Sequence, residues 1–475
     1  MKAGDAMLKR FKKNPSSNFP PFQSFPEDSP YQFLSGKILT QTELPLPVEE
    51  LQLLEEQSLV MKLPSLTNTR STWQCHRCGT DKPYFFARFP HAGCRKKCTY
   101  CRNCIMMGRV MECEPLYWFS PLAVWKKHHS PCQWEGELTN AQSNAAEHIV
   151  LAIEKREELL VWAVCGAGKT EMLFPGLTYA LRQGMRVCLA TPRTDVVREL
   201  FPRLTSSFPE VEIQALYGDS EEKSGSAQLL MATTHQLYRY SQAFDVMIID
   251  EIDAFPFHND DSLKWAAKRA AKDHASQIYL TATPRKKEKR RIRQKQLPTV
   301  FIPSRFHGYP LPVPTLKLVT TLRSRLSKGT LPKSILQRIF NQQTGKRQLL
   351  IFASTIQYAE NIKGILSSRL LVSSVHAEDP ARADKILAFR NRELDVLVTT
   401  TILERGVTFP SVDVFVIDAG HQVFDEAALV QIAGRAGRSH KDPDGEVIFF
   451  HSGKTNAMFE AQEAIHQMNI KAKNQ

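Results

Sequence analysis

The sequence predicts an α/β protein: two parallel-sheet domains in tandem, preceded by a small four-cysteine module. Three observations predict this. Between about residues 140 and 300, short apolar runs (LLVWAV, RVCLAT, LLMAT, VMIIDE, IYLTAT) alternate with helical patterns. From about 345 to 455 the pattern restarts with QLLIFAS, VSSVHA, DVLVTTT, VFVIDA and EVIFF. Strands that alternate with helices imply βαβ units and a parallel sheet. Third, six of the ten cysteines fall between Cys75 and Cys104, which in a reducing compartment reads as metal binding before disulfides.

Each segment has its own signature. Residues 1–69 read as an extension. NPSSNFPPFQSFPEDSP holds five prolines, and TELPLPVEELQLLEEQ is acidic with a short helix near its end, so at most one docked element is expected. Residues 70–113 are the cysteine block and 114–302 the first α/β domain. Within 303–320, PSRFHGYPLPVPTLK carries four prolines and reads as a linker to the second domain, 321–475.

Composition narrows the function classes. The chain has 475 residues, 42% hydrophobic and 23% charged, which excludes a wholly disordered chain, a collagen-like fibre and a coiled-coil rod. No run approaches the roughly 20 apolar residues that span a bilayer. The start, MKAGDAMLKRFKKN, is basic and lacks the apolar core of a secretory signal, so an intracellular protein is expected. Lys and Arg outnumber Asp and Glu by 62 to 49, which favours a polyanionic partner, nucleic acid or an acidic membrane surface.

The chemistry starts at Leu160–Val164, a strand-like run. Ala163-Val-Cys-Gly-Ala-Gly-Lys-Thr170 leads from it into a helical pattern, the context of a phosphate-binding loop. Gly166 and Gly168 let backbone N–H groups crowd phosphate oxygens. The following helix adds its N-terminal dipole. Lys169 would neutralise the β- and γ-phosphates, and Thr170 would offer its hydroxyl to Mg²⁺. Ala163, Val164, Cys165, Ala167 and Glu171 complete the expected contact loop for ATP, although Ala163 stands where such loops usually carry Gly. Eighty residues after Thr170, the apolar run Val246–Ile249 ends in Asp250, Glu251 and Asp253. Asp250, at the end of a parallel strand, would face Mg²⁺. Glu251 is suited to orient or deprotonate the attacking water.

With these motifs in place, the chain resembles a superfamily 2 helicase motor with two RecA-like lobes. The resemblance implies that Gln142, in Trp134-x-Gly-x-Leu-Thr-x-x-Gln142, reads adenine. It implies that Thr191, Pro192, Arg193 and Thr194 touch the nucleic-acid backbone, with Thr234 and His235 as a neighbouring strand-contacting motif. Thr281 and Thr283 are expected to contact the DNA and couple nucleotide state to it, and Thr400 and Arg405 to face the DNA from the second lobe. Plain packing or strand-end roles compete for His235, Thr281, Thr283 and the Thr399–Thr401 run. Arg435 and Arg438, in Gln431-Ile-Ala-Gly-Arg435-Ala-Gly-Arg438, are three residues apart on one helix face. Supplied from the second lobe, planar guanidinium groups suit the transferring phosphoryl group as arginine fingers. ATP would then lie between the lobes, and its hydrolysis would open and close them.

Cys75-His-Arg-Cys78 pairs with a second Cys-x-x-Cys turn, since two such turns give tetrahedral thiolate coordination suited to Zn²⁺. Spacing alone leaves two choices for that turn, Cys98/Cys101 and Cys101/Cys104. The remaining thiols of the block are spare, and Cys113, Cys132, Cys165 and Cys188 read as packing residues. Arg285–Lys295 holds eight basic residues and one acid. It suits a phosphate backbone or an anionic membrane surface, and a solvated helix face competes.

The zinc module ahead of the motor, with AVCGAGKTEMLFPG, ATPRTDVV, DEIDAFP, TTTILERGV and QIAGRAGR, resembles the ComFA family of late-competence DNA-uptake ATPases over about residues 70–475. The resemblance places the second zinc turn at Cys101 and Cys104. It implies an ATP-driven single-stranded DNA translocase, in the cytoplasm and peripheral to the inner face of the cell membrane, drawing transforming DNA inward. Implied partners are the membrane channel protein, a phosphoribosyltransferase-like competence protein and a recombination mediator. An oligomer is compatible with the sequence. The alternatives are a primosomal or repair-type helicase that unwinds duplex DNA, an RNA helicase, and a non-hydrolysing DNA-binding scaffold.

Overall fold

The structure, a computed structural model, describes residues 24–473 apart from 27–28, 69–71, 123, 221–223 and 346. The basic start and most of the Pro-rich run lie outside the described residues.

The extension is more than a tail. The first eight strands are Ile38–Leu39 (β1), Val60–Leu63 (β2), Leu66–Asn68 (β3), Trp73–Cys75 (β4), Phe86–His91 (β5), Lys96–Cys101 (β6), Val110–Met111 (β7) and Leu116–Phe119 (β8). β8 pairs antiparallel with both β1 and β2. Segments on either side of the cysteine block therefore form one sheet, across the expected boundaries at 69 and 113. The cause is burial: Tyr117 and Phe119 of β8 pack with Leu34, Leu39, Leu54, Leu59 and Val60 in one apolar cluster. A few leucines among acidic and proline residues suffice for this core, which composition averages conceal. β5, β6 and β7 make a separate antiparallel sheet, and β3 pairs with β4.

The first lobe contains Glu158–Ala163 (β9), Val187–Thr191 (β10), Ile213–Leu216 (β11), Leu229–Thr233 (β12), Phe244–Ile249 (β13), Ala271–Thr281 (β14) and Thr299–Ile302 (β15). Its sheet runs in the order β11-β12-β10-β13-β14-β9-β15, with every pairing parallel. β10 and β12 are buried along their whole length, as strands covered on both faces must be. β9, β10 and β13 are neighbours of one another or of β14. Their C-terminal ends, where ligands bind in open α/β sheets, carry the phosphate loop, Thr191 and Asp250.

The second lobe contains Thr315–Leu318 (β16), Gln348–Ala353 (β17), Val372–Val375 (β18), Val396–Thr399 (β19), Val412–Ile417 (β20) and Val447–His451 (β21), in the order β16-β21-β20-β17-β19-β18, again all parallel. β16 lies within the expected linker and pairs with β21. Its side chains are largely exposed at the sheet edge, so it carries no buried-strand signal. The last helix, Asn456–Lys473, reaches back to the linker and first lobe. Asn469 exchanges both its amide hydrogen bonds with the Leu311 backbone, at 2.8 and 2.9 Å. The Lys471 ammonium lies 4.4 Å from the Phe301 ring centroid. Among the described residues no helix is long and apolar enough to cross a membrane.

Candidate nucleotide site and nucleic-acid interface

Gly166 and Gly168 adopt φ of +80° and +70°, which turns the loop after β9 so that its N–H groups converge. At Gly168 a Cβ would also lie 2.3 Å from Gln142 Nε2. Gln142 caps its own helix, Asn140–Lys155. Its Oε1 accepts from Thr139 N at 2.9 Å, and Thr139 Oγ1 accepts from Gln142 N at 3.3 Å. Its Nε2 donates to the carbonyls of Ala167 and Gly168, at 2.9 and 3.3 Å. The residue expected to read adenine thus also holds the phosphate loop in shape.

Lys169 Nζ lies 3.6 Å from Asp250 Oδ1. Burial opposes the Lys169 charge, but Asp250 and Glu251 outweigh it and hold the ammonium above its ordinary range. Buried Glu251 Oε2 has no hydrogen-bond partner and lies 3.9 Å from Arg405 Nη1, which leaves it open to accept from a water. Glu171 accepts a hydrogen bond from Arg203. These groups and Thr170 line a cavity of about 480 Å³ between the lobes. Arg435 and Arg438 line it from the opposite side, with Trp134 and Gly406 at its walls. The donor set fits a nucleoside triphosphate with Mg²⁺: converging N–H groups, an ammonium and a hydroxyl for phosphate, and a carboxylate at the strand end for the metal.

The two arginines differ. Arg435 is buried and donates to the carbonyls of Glu404, at 2.9 Å, and Val407. Arg438 is partly exposed, with Nε on Gly434 O at 3.0 Å and Nη1 3.4 Å from Thr408 Oγ1. Neither arginine lies on a helix face as expected, because the helix Glu426–Ala433 ends before them, and sequence reasoning missed what holds the turn that follows it. Arg305, in the proline-rich linker, is buried and donates to the carbonyls of Ala436, at 2.9 Å, and Gly437. Its neighbour Phe306 donates N–H to Gly166 O at 3.0 Å. Cys165 Sγ meets Gln431 Oε1 at 2.9 Å. Linker, phosphate loop and the Gln431–Arg438 segment therefore touch directly.

Three of the expected DNA contacts lie elsewhere. Thr281, Thr283 and Arg405 are buried and converge on Asp253. Thr281 Oγ1 donates to Asp253 Oδ1 at 2.6 Å, and Thr283 Oγ1 and Arg405 Nη2 donate to Oδ2 at 2.5 Å each. Burial opposes the Asp253 charge, and the Arg405 guanidinium outweighs it, holding the carboxyl well below the usual carboxylate range. Arg405 belongs to the second lobe and Asp253 to the first, so this is an interlobe joint. It lies between the nucleotide cavity and the opposite face.

On that face a cleft of about 370 Å³ is lined by Arg193, Thr194, Phe255, Arg382, Thr400 and Ile402. Arg193 Nη2 donates to Ile402 O at 2.5 Å, and Arg382 pairs with Asp195 across the lobes. Phe255 is 73% exposed; inside the string DAFPF it gave no signal separate from core residues. Thr191 and Pro192 are buried at the end of β10, and Thr234 is buried after β12, while His235 is exposed. The hydroxyls of Thr191 and Thr234 have no hydrogen-bond partner. The basic helix Lys286–Arg293 is partly committed elsewhere. Arg285 pairs with Asp425 at 2.6 Å, Lys289 with Glu426 at 2.9 Å, and Arg291 with Glu158.

The cysteine block packs on Leu237 and Tyr238 of the turn Thr234–Arg239 that carries His235. Cys75, Cys78, Cys101 and Cys104 are buried in one cluster. Cys75 and Cys104 Sγ are 3.8 Å apart and Cys78 and Cys101 Sγ 3.7 Å, close to the edge of about 3.8 Å that bonds of about 2.3 Å give a tetrahedral Zn²⁺ site. Buried Arg269 ties this knuckle to the first lobe. Its Nη1 donates to the carbonyls of His76 and Arg77, at 2.9 and 2.6 Å, and its Nη2 to Tyr238 O at 2.7 Å. Gly79, at φ +73°, lets the turn sit on the Trp265 ring, 2.5 Å from where a Cβ would be. Cys94 and Cys98, expected to be spare, and Cys113, expected to be a packing residue, lie together with His91 in a second cluster.

Comparisons with known proteins agree with this architecture. The family described as the competence protein ComFA N-terminal domain matches residues 24–118. The family of the type III restriction enzyme res subunit matches 135–286, and that of the helicase conserved C-terminal domain matches 331–440. The two lobes are helicase-family domains. Solved structures share their fold: yeast Dbp5 bound to RNA and ADP BeF3 (TM-score 0.51, 18% identity, 70% of this chain and 91% of that one), and Mycobacterium smegmatis helicase Lhr bound to ssDNA and AMP-PNP (TM-score 0.51, 18% identity, 72% and 51%). Competence protein ComFA of Bacillus subtilis is 44% identical over 92% of this chain and 94% of its own length, and that of Streptococcus pneumoniae 37% identical over 92% and 98%. With identity of that order across the cysteine knuckle and both lobes, the chain belongs to the ComFA family of competence proteins.

Proposed function

We propose that this protein is a DNA-stimulated ATPase that translocates on single-stranded DNA and draws transforming DNA into the cytoplasm. One observation carries the reading. The nucleotide cavity is split between lobes, and the Asp253–Arg405 joint links it to the cleft that holds Arg193, Phe255 and Thr400.

The phosphate loop and Lys169 bind and orient the triphosphate. Asp250 would hold Mg²⁺, which supplies charge neutralisation at the phosphates. Glu251 orients and accepts a proton from water. Arg438, and Arg435 once its carbonyl partners release it, stabilise charge on the transferring phosphoryl group. When that charge leaves, the second lobe loses its hold, and Arg405 carries the change to Asp253, Thr281 and Thr283. Arg193, Thr194, Thr400 and exposed His235 contact the strand. Cys75, Cys78, Cys101 and Cys104 would hold a closed structural Zn²⁺, which would fix the knuckle against the turn that carries His235. Peripheral membrane attachment and the channel, phosphoribosyltransferase-like and mediator partners rest on the family alone.

The test is ATP hydrolysis with and without single-stranded DNA, beside Lys169→Ala, with RNA and forked duplex as further substrates. Stimulation by single-stranded DNA that vanishes in the variant is expected. Strand separation on forked DNA would favour the unwinding helicase, stronger stimulation by RNA an RNA helicase, and DNA binding without turnover the scaffold.

A further inference from the structure

The β5–β6 hairpin projects from the zinc knuckle, and its tip lacks an apolar core. Among the described residues, none between Pro90 and Cys98 joins a buried hydrophobic cluster. Its faces carry Arg109 stacked on the Phe89 and Tyr100 rings, 4.8 and 5.5 Å from their centroids, and exposed Arg88, Arg95, Lys96 and Lys97. A small hairpin of this kind is marginally stable in water without an added anchor.

The anchor is at the tip. His91 ends β5 and Cys94 sits in the turn, where Arg95 N closes onto His91 O at 2.9 Å. Cys98 lies on β6, two residues past the turn pair His91–Lys96. Cys113 comes from the segment after β7, which Glu112 N fastens to Thr99 O at 2.9 Å. Three separate pieces of chain thus bring four ligand atoms within 4.8 Å of one another. Cys113 Sγ is 3.3 Å from His91 Nδ1 and 3.1 Å from Cys98 Sγ. The latter is well beyond a disulfide bond of about 2.05 Å. The Cys113–His91 distance is near the nitrogen-to-sulfur edge of about 3.5 Å in tetrahedral Zn²⁺, and the two thiols are closer than its sulfur-to-sulfur edge of about 3.8 Å, so binding would part them slightly. Three thiolates and one imidazole are a donor set that selects Zn²⁺. The surrounding Arg and Lys side chains offset the excess negative charge.

We propose that His91, Cys94, Cys98 and Cys113 hold a second structural Zn²⁺, separate from the Cys75/Cys78/Cys101/Cys104 site. All four positions are filled by protein, so the site is closed to catalysis. It pins the basic hairpin tip to the segment that leads into β8. Cys113 is exposed and only Cys98 is buried, whereas all four thiols of the other site are buried. The second site therefore yields its metal to a chelator first.

Zinc in full-length protein, purified under reducing conditions, is the test. Two Zn²⁺ per chain are expected, released by a chelator in two kinetic phases. Cys113→Ser and Cys98→Ser should each lose one equivalent and the fast phase, and keep the slow one. His91→Cys should retain both metals. If the serine variants fail to fold, Co²⁺-loaded wild type decides. Thiolate-to-metal charge-transfer absorbance should correspond to seven thiolates, four from one site and three from the other. One Zn²⁺ per chain, unchanged in Cys113→Ser, would overturn the proposal. So would Co²⁺ absorbance of four thiolates only, or a Cys98–Cys113 disulfide found by mass spectrometry of protein purified under the same reducing conditions.

Discussion

The two faces of the interlobe cleft are built differently. On the nucleotide face, groups from a few contiguous segments converge: Gly166 to Thr170, Asp250 and Glu251, Arg435 and Arg438. On the proposed nucleic-acid face, the groups that matter are scattered, and each is held by a partner distant in sequence. Arg193 rests on Ile402 and Arg382 on Asp195, and the buried Arg405–Asp253 pair joins this face to the other. Phosphate binding needs backbone N–H groups in a fixed local turn, so its chemistry is local. Coupling needs contacts between lobes that can be made and broken, so its chemistry is long-range.

The largest expected effect lies on the nucleotide face. Lys169→Ala should reduce DNA-stimulated hydrolysis by about 10²–10³-fold, the scale of losing one charge-stabilising donor. Steady-state phosphate release checks it. A fall of only a few-fold would mean that backbone N–H groups alone carry phosphate binding, and would weaken the contrast between the faces.

Next comes the joint. Arg405→Ala leaves the buried Asp253 carboxylate with only the Thr281 and Thr283 hydroxyls. Removing one partner of a buried pair costs roughly 3–5 kcal/mol. Lower thermal stability is expected, together with a stimulation ratio falling toward one while single-stranded DNA still binds. Arg405→Lys should restore part of the stability and less of the coupling, because a point charge cannot serve Asp253 and Glu251 together.

A smaller effect is expected at Phe255. Its exposed ring is placed to stack on bases, worth about 1–3 kcal/mol per base. Phe255→Ala should weaken single-stranded DNA binding by that amount with an unchanged unfolding temperature, as read by fluorescence anisotropy and thermal melts. Unchanged affinity would take Phe255 out of the track.

The smallest effect is at the partly exposed interlobe ion pair of Lys289 with Glu426. Lys289→Ala should cost about 1 kcal/mol or less and lose even that in high salt, whereas Arg285 also donates to Asp253 O at 2.9 Å and belongs with the joint. A large loss of DNA affinity instead would return the basic helix to the nucleic-acid face.

The same contrast explains what could be read in the sequence. Both parallel sheets were legible because β9, β10, β13, β17 and β20 are short apolar runs between helices. β16 was not, because its exposed edge residues carry no apolar pattern. The phosphate loop and the acids after β13 were legible as contiguous strings. Asp253 was in view beside them, but its partners Thr281, Thr283 and Arg405 lie 28, 30 and 152 residues away. Cys94, Cys98 and Cys113 looked unrelated because their fourth partner is a histidine and the spacing is irregular. Arg305 was hidden in a segment whose prolines suggested only a linker.

The account rests on conversion of ATP hydrolysis into movement along a single strand. The most direct measurement follows arrival of the protein at a dye-labelled end of single-stranded DNA of increasing length after ATP is added. Arrival time should grow in proportion to length for wild type, and no arrival signal should form with Lys169→Ala. Arrival that ignores strand length, despite normal DNA-stimulated hydrolysis, would contradict translocation.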